Sequence, residues 1–88
     1  MTSRLPTTIQ LTVTTPDQTF FEGRIAKATF PGTAGPFQVL HNHAPLVSTL
    51  QRGTIVYHDG EQENSLPTET GIVEVLSNQI TVLMTTVT

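Results

Sequence analysis

Apolar and polar residues alternate with a period of two along most of this chain, and no window keeps the spacing of three to four that a helix requires. The clearest case is the segment 8–13, where Ile9, Leu11 and Val13 fall on one face and polar residues on the other. Alternation of this kind predicts strands with one buried face. The predicted fold class is therefore all-β.

The predicted strands are short and recur about every eight to twelve residues, which favours a sandwich or a barrel. They cover residues 8–13, a short stretch around Phe20 and Phe21, and residues 24–30, 37–40, 46–50, 54–58, 61–66, 71–76 and 79–84. Gly23 is predicted to end the second strand, and Asp59-Gly60 predicts a tight hairpin turn. Leu83 is out of phase with Ile80 and Val82, so the last strand has no clean polar face.

The length of 88 residues allows one domain, residues 1–88, and leaves no room for a separate catalytic module. A domain of this size buries roughly 60 to 65 % of its unfolded surface, so a permanent partner would add stability. The chain has no cysteine, which excludes disulfides and thiolate zinc sites. No stretch approaches the ~20 apolar residues that span a bilayer, so we expect a soluble protein.

The charge distribution argues against nucleic acid and anionic lipid as partners. Four basic residues against seven acidic ones give a net charge of -3, and the basic residues are scattered. From Ala28 through Gln51 there is no charged residue at all. Depletion of charge is a mark of interface cores, although a buried strand pair explains it equally well. Two loops fall inside this stretch, at residues 30–36 and 41–45.

Two histidines, His41 and His43, alternate in sequence and could offer nitrogen ligands to a metal. A site needs at least a third ligand, and the nearest carboxylates in sequence are Glu22 and Asp59. Pro45 makes the segment a loop rather than a rigid strand. We therefore predict no metal site.

No catalytic residue and no cofactor site are predicted either. Ser48, Ser65 and Ser77 do not lie in a strained turn that would expose and activate a hydroxyl. Gly32 and Gly35 are not followed by Lys-Ser or Lys-Thr and do not open a helix, so they do not form a phosphate-binding loop.

Six short motifs occur in a fixed order along the chain. They are Phe20-Phe21-Glu22-Gly23, Phe30-Pro-Gly-Thr-Ala-Gly35, His43-Ala-Pro-Leu46, Arg52-Gly53, Gly71-Ile-Val-Glu-Val75 and Gln79-Ile-Thr-Val-Leu83. Each is unspecific alone, but together they cover about Ile9 to Leu83. Their order and spacing resemble the amino-terminal domain of the epsilon subunit of the rotary F-type ATP synthase.

The resemblance implies a flattened antiparallel β-sandwich of about ten strands at the foot of the central stalk. There it would bind the gamma subunit and rest on the membrane-embedded c ring, at the cytoplasmic face of a bacterial inner membrane. Such a subunit turns with the rotor and helps couple proton flow to ATP synthesis without being an enzyme itself. It is peripheral to the membrane through protein contacts and is not a homo-oligomer in the complex.

The resemblance also assigns the c-ring interface to two adjacent loops, which correspond to Gly32, Thr33, Ala34, Gly35 and Pro36 and to the segment around His43. Many members have an acidic residue where this chain has Pro36, a glycine in place of Gln38, and Pro-Gly in place of His41-Asn42. Backbone and shape contacts would then replace charge pairing to the ring.

Most members of the family continue after the last strand into a two-helix hairpin, whereas the sequence here stops at Thr88. We therefore expect no C-terminal helices. Neither the inhibition of hydrolysis nor the ATP binding known for that hairpin is carried over.

The sequence is compatible with two other functions. The chain could be a free-standing β-sandwich module that binds a small ligand or carbohydrate, or a small metal-dependent enzyme that uses His41 and His43. Exposed aromatic rings would favour a binding module, but the chain has no Trp and one tyrosine, Tyr57, and its four phenylalanines are predicted to lie in the core.

Overall fold

The structure, a computed structural model, describes residues 5–85 as two packed β-sheets. In chain order the strands are β1 (Ile9–Thr14), β2 (Thr19–Ile25), β3 (Lys27–Phe30), β4 (Phe37–Val39), β5 (Leu46–Leu50), β6 (Gly53–His58), β7 (Glu63–Thr68), β8 (Gly71–Leu76) and β9 (Gln79–Met84). One sheet has the order β2-β1-β9-β8-β5 and the other β4-β3-β6-β7. The described residues contain no helix, and so none that could cross a membrane. The predicted all-β sandwich is confirmed, with nine strands in the described part.

The period-two alternation decides which face of each strand is buried. In β1 the three apolar residues are fully buried and the residues between them are partly exposed. The inner faces of the two sheets form one core, which contains Ile9, Leu11, Val13, Ile25, Ala28, Phe30, Val39, Leu50, Ile55, Val73, Val75, Ile80, Val82 and Met84. Phe30 is the largest fully buried side chain, and its ring stacks on Phe37 with centroids 5.5 Å apart.

Strand pairing within residues 5–85 is antiparallel with one exception. β1 and β9 run parallel, with Leu11 opposite Ile80 and Val13 opposite Val82. β1 therefore lies between β2 and β9, and segments from the two ends of the chain form the middle of the larger sheet.

The predicted break at Gly23 and the predicted strand over residues 24–30 are both wrong. The chain passes from one sheet to the other at Ala26, whose N–H donates to the His58 carbonyl at 2.8 Å. Gly23 lies inside β2, and a Cβ at that position would be 3.2 Å from the ring of Phe21. This glycine therefore makes room for a neighbouring ring and does not end a strand.

The hairpin between β6 and β7 has a four-residue loop instead of the predicted two-residue turn, because β7 begins at Glu63. A tight type I′ turn needs positive φ at both central residues, but in this loop Gly60 alone has it, at 102°. The carboxylate of Asp59 closes the wider loop by accepting hydrogen bonds from the N–H groups of Glu61 and Gln62, both at 2.9 Å.

A pair of asparagines ties the loop between β4 and β5 to the turn between β8 and β9. Asn78 Oδ1 accepts the backbone N–H of Asn42 at 2.7 Å, and Asn78 Nδ2 donates to Asn42 Oδ1 at 3.1 Å. The two residues have φ values of 64° and 60°, a region in which asparagine is enriched. The pair fixes one end of β5 against the larger sheet.

We expect Asp59 to make folding stability depend on acid pH. Its hydrogen bonds to the Gln62 and Glu61 N–H groups hold the pKa of Asp59 below its ordinary value of 3.8. The stabilisation is fully present above that value and is lost as the pH falls through the lower pKa of the folded state.

Melting temperatures measured from about pH 2 to 7 for three proteins would check this. Near neutral pH, Asp59→Ala should have a lower melting temperature than the wild type. On acidification its melting temperature should fall by less than that of the wild type. Asp59→Asn is the matched control, because it keeps an acceptor that does not titrate. Identical acid profiles for all three proteins would contradict this role for Asp59.

The asparagine pair should show coupling in a double-mutant cycle. Glycine replacements keep the positive φ, so Asn42→Gly and Asn78→Gly test the side chains. Asn78→Gly removes both hydrogen bonds and should lower the free energy of unfolding more than Asn42→Gly does. The coupling energy between the two positions should be about 0.5 to 1 kcal/mol. Denaturant unfolding measures it, and strictly additive effects would show that the amides do not interact in solution.

Candidate functional site

The two predicted interface loops lie at opposite ends of β5. Residues 31–36 pack against its last residues, through a bridge between Gly32 and Leu50. Residues 40–45 precede its first residue, Leu46. A five-residue strand is about 13 to 17 Å long, so the structure does not place His43 directly beside the first loop. A partner that touches both loops must lie along β5, which is an edge strand of its sheet.

The first loop is fastened to the free edge of β5 by short hydrogen bonds. The N–H of Thr33 donates to the Thr49 carbonyl at 3.1 Å, and the two threonine hydroxyls are 2.6 Å apart. Within the loop, the N–H of Gly35 donates to the Gly32 carbonyl at 3.0 Å. Gly32 is buried, whereas Thr33, Ala34, Gly35 and Pro36 are exposed. The loop is therefore an anchored, exposed surface with Ala34 at its tip.

The two glycines of this loop are required by its conformation. Gly35 has a φ of 132°, which side-chain-bearing residues rarely adopt. A Cβ on Gly32 would lie 2.7 Å from the Gly35 carbonyl oxygen and 3.0 Å from the ring of Phe37. The compact shape of the loop follows from these two positions.

The second loop, which the Asn42–Asn78 pair ties to the larger sheet, has further hydrogen bonds at His43. The N–H of His43 donates to the Leu40 carbonyl at 3.1 Å, and His43 Nδ1 lies 2.7 Å from the Ala44 carbonyl oxygen. That distance is a hydrogen bond when Nδ1 carries the proton. His41 is exposed and His43 is half-buried.

The side chains considered above as metal ligands or nucleophiles lie apart or bind the backbone. Within residues 5–85 no three His, Cys, Asp or Glu side chains come together. His58 Nδ1 accepts the N–H of Gly60 at 3.0 Å, and the Ser48 hydroxyl donates to the Thr49 carbonyl at 3.1 Å. That His41 and His43 hold no metal stays a prediction.

Burial explains only part of the uncharged stretch from Ala28 to Gln51. Its strands contribute core residues such as Phe30 and Leu50, but most residues of its two loops are exposed. A solvated loop has no physical reason to exclude charge, so the burial of the strands cannot account for the composition of the loops. Depletion of charge there is what a contact surface would show.

The outside of the five-stranded sheet carries an aliphatic face that was not predicted from the sequence. Val47, Ile72, Leu76 and Leu83 are 68, 48, 52 and 50 % exposed. They lie on β5, β8 and β9 with their side chains pointing away from the core. The out-of-phase position of Leu83 was the signal that could have found this face.

Three depressions on the described residues are small. One of about 70 Å³ lies on the four-stranded sheet, and two of about 270 and 250 Å³ lie on the aliphatic face and beside Phe20. Pockets for small molecules usually enclose about 300 to 1,000 Å³. Phe20 is 43 % exposed, so the prediction that all four phenylalanines lie in the core is wrong at this position.

Comparison with known proteins identifies relatives along nearly the whole chain. Residues 8–88 match the family model "ATP synthase, Delta/Epsilon chain, beta-sandwich domain". The ATP synthase epsilon chain of a Nitratiruptor species is 40 % identical over 79 residues, which cover 88 % of this chain and 60 % of that protein. The epsilon chain of Leptospira interrogans (strain 56601) is 36 % identical over 75 residues, covering 85 % and 59 %. The chain thus spans about 60 % of the length of these curated relatives.

Solved structures share the fold. One is a chain in the structure of the OSCP, F1 and c-ring of the Euglena gracilis mitochondrial ATP synthase. It superposes with a TM-score of 0.81 at 22 % sequence identity, and the match covers 91 % of this chain and 52 % of that chain. Another is a chain in the structure of the central stalk and c-ring of the Tetrahymena thermophila mitochondrial ATP synthase. Its TM-score is 0.74 at 13 % sequence identity, and the match covers 93 % of this chain and 66 % of that chain. With the family model matched over residues 8–88, the chain belongs to the ATP synthase delta/epsilon-chain β-sandwich family.

Proposed function

We propose that this protein is a non-catalytic central-stalk subunit of an F-type ATP synthase, which links the gamma subunit to the c ring and helps couple proton translocation to ATP synthesis. The observation that carries the proposal is the family match over residues 8–88. The proposed location is the cytoplasmic face of a bacterial inner membrane, where the subunit is held through protein contacts.

The two ends of β5 supply the proposed ring contact. Within residues 32–36 the buried Gly32 is followed by four exposed, uncharged residues, and Thr33 holds the loop in place by hydrogen bonds to Thr49. An anchored loop loses little conformational entropy when a partner covers it. With no charged side chain to desolvate, such a loop can bind through backbone and shape.

The segment around His43 joins this contact if the ring surface lies along β5. Ala44 and Pro45 are exposed on that side, and Val47 is exposed between the two loops. The proposed interface is therefore a strip as long as β5, with Ala34 near one end and His43 near the other.

A carboxylate at either end of the strip should weaken the contact. Ala34→Asp and Ala44→Asp each place a charge in a surface that the ring would desolvate, costing on the order of 1 to 3 kcal/mol where no partner compensates. The melting temperature of the isolated protein should stay within a few degrees, because both positions are exposed. Retention on the purified ATP synthase and proton pumping driven by ATP hydrolysis measure the effect.

Ser65→Asp is the matched control, since it adds the same charge at an exposed position on the four-stranded sheet. An effect of Ala34→Asp alone would confine the ring contact to residues 32–36 and remove His43 from it. If Ser65→Asp were the damaging change and both alanine variants assembled normally, the strip along β5 would not be the ring contact.

A further inference from the structure

Within the described residues, four strands are sheet edges, and three of these edges are protected. The free edge of β5 is partly covered by the loop at residues 31–36, which bonds to it through Thr33. β7 contains Pro67, which has no N–H to offer another strand, and β4 has only 3 residues. β2 has 7 residues and pairs with β1 alone. An open edge of this kind is a template on which another strand can pair.

Two opposite charges flank a glycine in the middle of this open edge. Glu22 and Arg24 are exposed on the outer face of β2, on either side of Gly23, and the residues opposite them on β1 are uncharged. Among the described residues no ion pair involves either side chain, and Arg24 Nε donates to the Thr7 carbonyl at 3.3 Å. Neither charge therefore meets an opposite charge across the sheet of its own chain.

A second copy of the chain supplies the complementary charges. If two β2 strands pair antiparallel about a twofold axis at Gly23, Glu22 of each copy lies directly opposite Arg24 of the other. Residues directly opposite each other in a sheet point to the same face, so this register can change only in steps of two residues. A step in either direction sets Glu22 opposite Glu22 or Arg24 opposite Arg24, which is destabilising. The charges thus select a single register.

The inner face of β2 is compatible with the same register. It sets Phe21 opposite Ile25 of the other copy, so apolar side chains meet on the core side. The ring of Phe21 is already positioned by Tyr57, with centroids 4.7 Å apart. An anionic membrane surface fits this edge less well, because Glu22 and the net charge of -3 repel it.

We propose that the free protein forms a twofold dimer through antiparallel pairing of β2, with two Glu22–Arg24 ion pairs on the outer face beside Gly23. The pairing joins the two larger sheets into one continuous sheet. β2 and β5 are opposite edges of the five-stranded sheet, so the dimer leaves the proposed ring contact uncovered. A contact between two short strands is smaller than the interface of a permanent dimer, and the association is therefore weak and reversible. This dimer does not require the function proposed above.

Sedimentation of the purified full chain from about 10 µM to 1 mM measures the association. The wild type should shift from monomer to dimer over this range. Glu22→Arg and Arg24→Glu each set like charges opposite each other and should raise the dimer Kd at least about tenfold. Glu63→Arg and Arg52→Glu make the same charge changes at exposed positions away from β2 and should change Kd less than about twofold. Melting temperatures confirm that the variants fold.

Mixing the two β2 variants tests the register itself. In a pair made of one Glu22→Arg chain and one Arg24→Glu chain, both cross-strand contacts again join opposite charges. The mixture should therefore form a heterodimer about as tightly as the wild type forms its dimer, although neither variant does so alone. A single chain that carries both changes should also dimerise, which keeps the test available if one of the single variants fails to fold.

Three results would overturn the proposal. One is a wild type that stays monomeric at about 1 mM. Another is a dimer whose Kd neither single change alters, because the contact would then lie elsewhere on the chain. The third is a loss of the dimer in both single variants with no recovery in the mixture or in the doubly changed chain, which would exclude the pairing of Glu22 with Arg24.

Discussion

Packing of two sheet faces against each other across one core is the constraint on which the rest of this structure depends. Each strand gives alternate residues to that core, as β1 does with Ile9, Leu11 and Val13. Because side chains alternate strictly, a one-residue slip would exchange the inner and outer faces of a strand. In β8, which reads Gly-Ile-Val-Glu-Val-Leu, both faces carry aliphatic residues, and Glu74 decides which of them is outside.

The surfaces available to partners follow from this arrangement. Once the inner faces are committed to the core, two outer faces, the edge strands and the loops remain. The loop at residues 31–36 closes part of the free edge of β5, and the Asn42–Asn78 pair holds the loop at the other end. The function that we propose uses the edge along β5 for the ring contact.

Much of the fold could be predicted from the sequence, because the period-two pattern is local and direct. Most strands were predicted within a few residues, and the exposed loop at residues 31–36 followed from its prolines and glycines. The errors arose where tertiary contacts override local signals. Gly23 was interpreted as a break but accommodates the ring of Phe21, and the Asp59 carboxylate closes a wider turn than Asp-Gly normally forms.

The residues of the candidate site could be predicted from the sequence, but their arrangement in space could not. The absence of charge from Ala28 to Gln51 is visible in the sequence, but whether those residues are buried depends on the fold. Similarly, the two predicted interface loops are close in sequence, yet β5 separates them because the chain crosses between the sheets after β4. The aliphatic face required the strand register, which places Ile72 opposite Leu83.

Cryo-electron microscopy of the ATP synthase purified from the source organism through its gamma subunit tests the central claim most directly. We predict density for this two-sheet domain at the foot of the central stalk, with the edge strand β5 toward the c ring. A complex with no density for this domain, or one in which β5 is exposed to solvent, would contradict this placement.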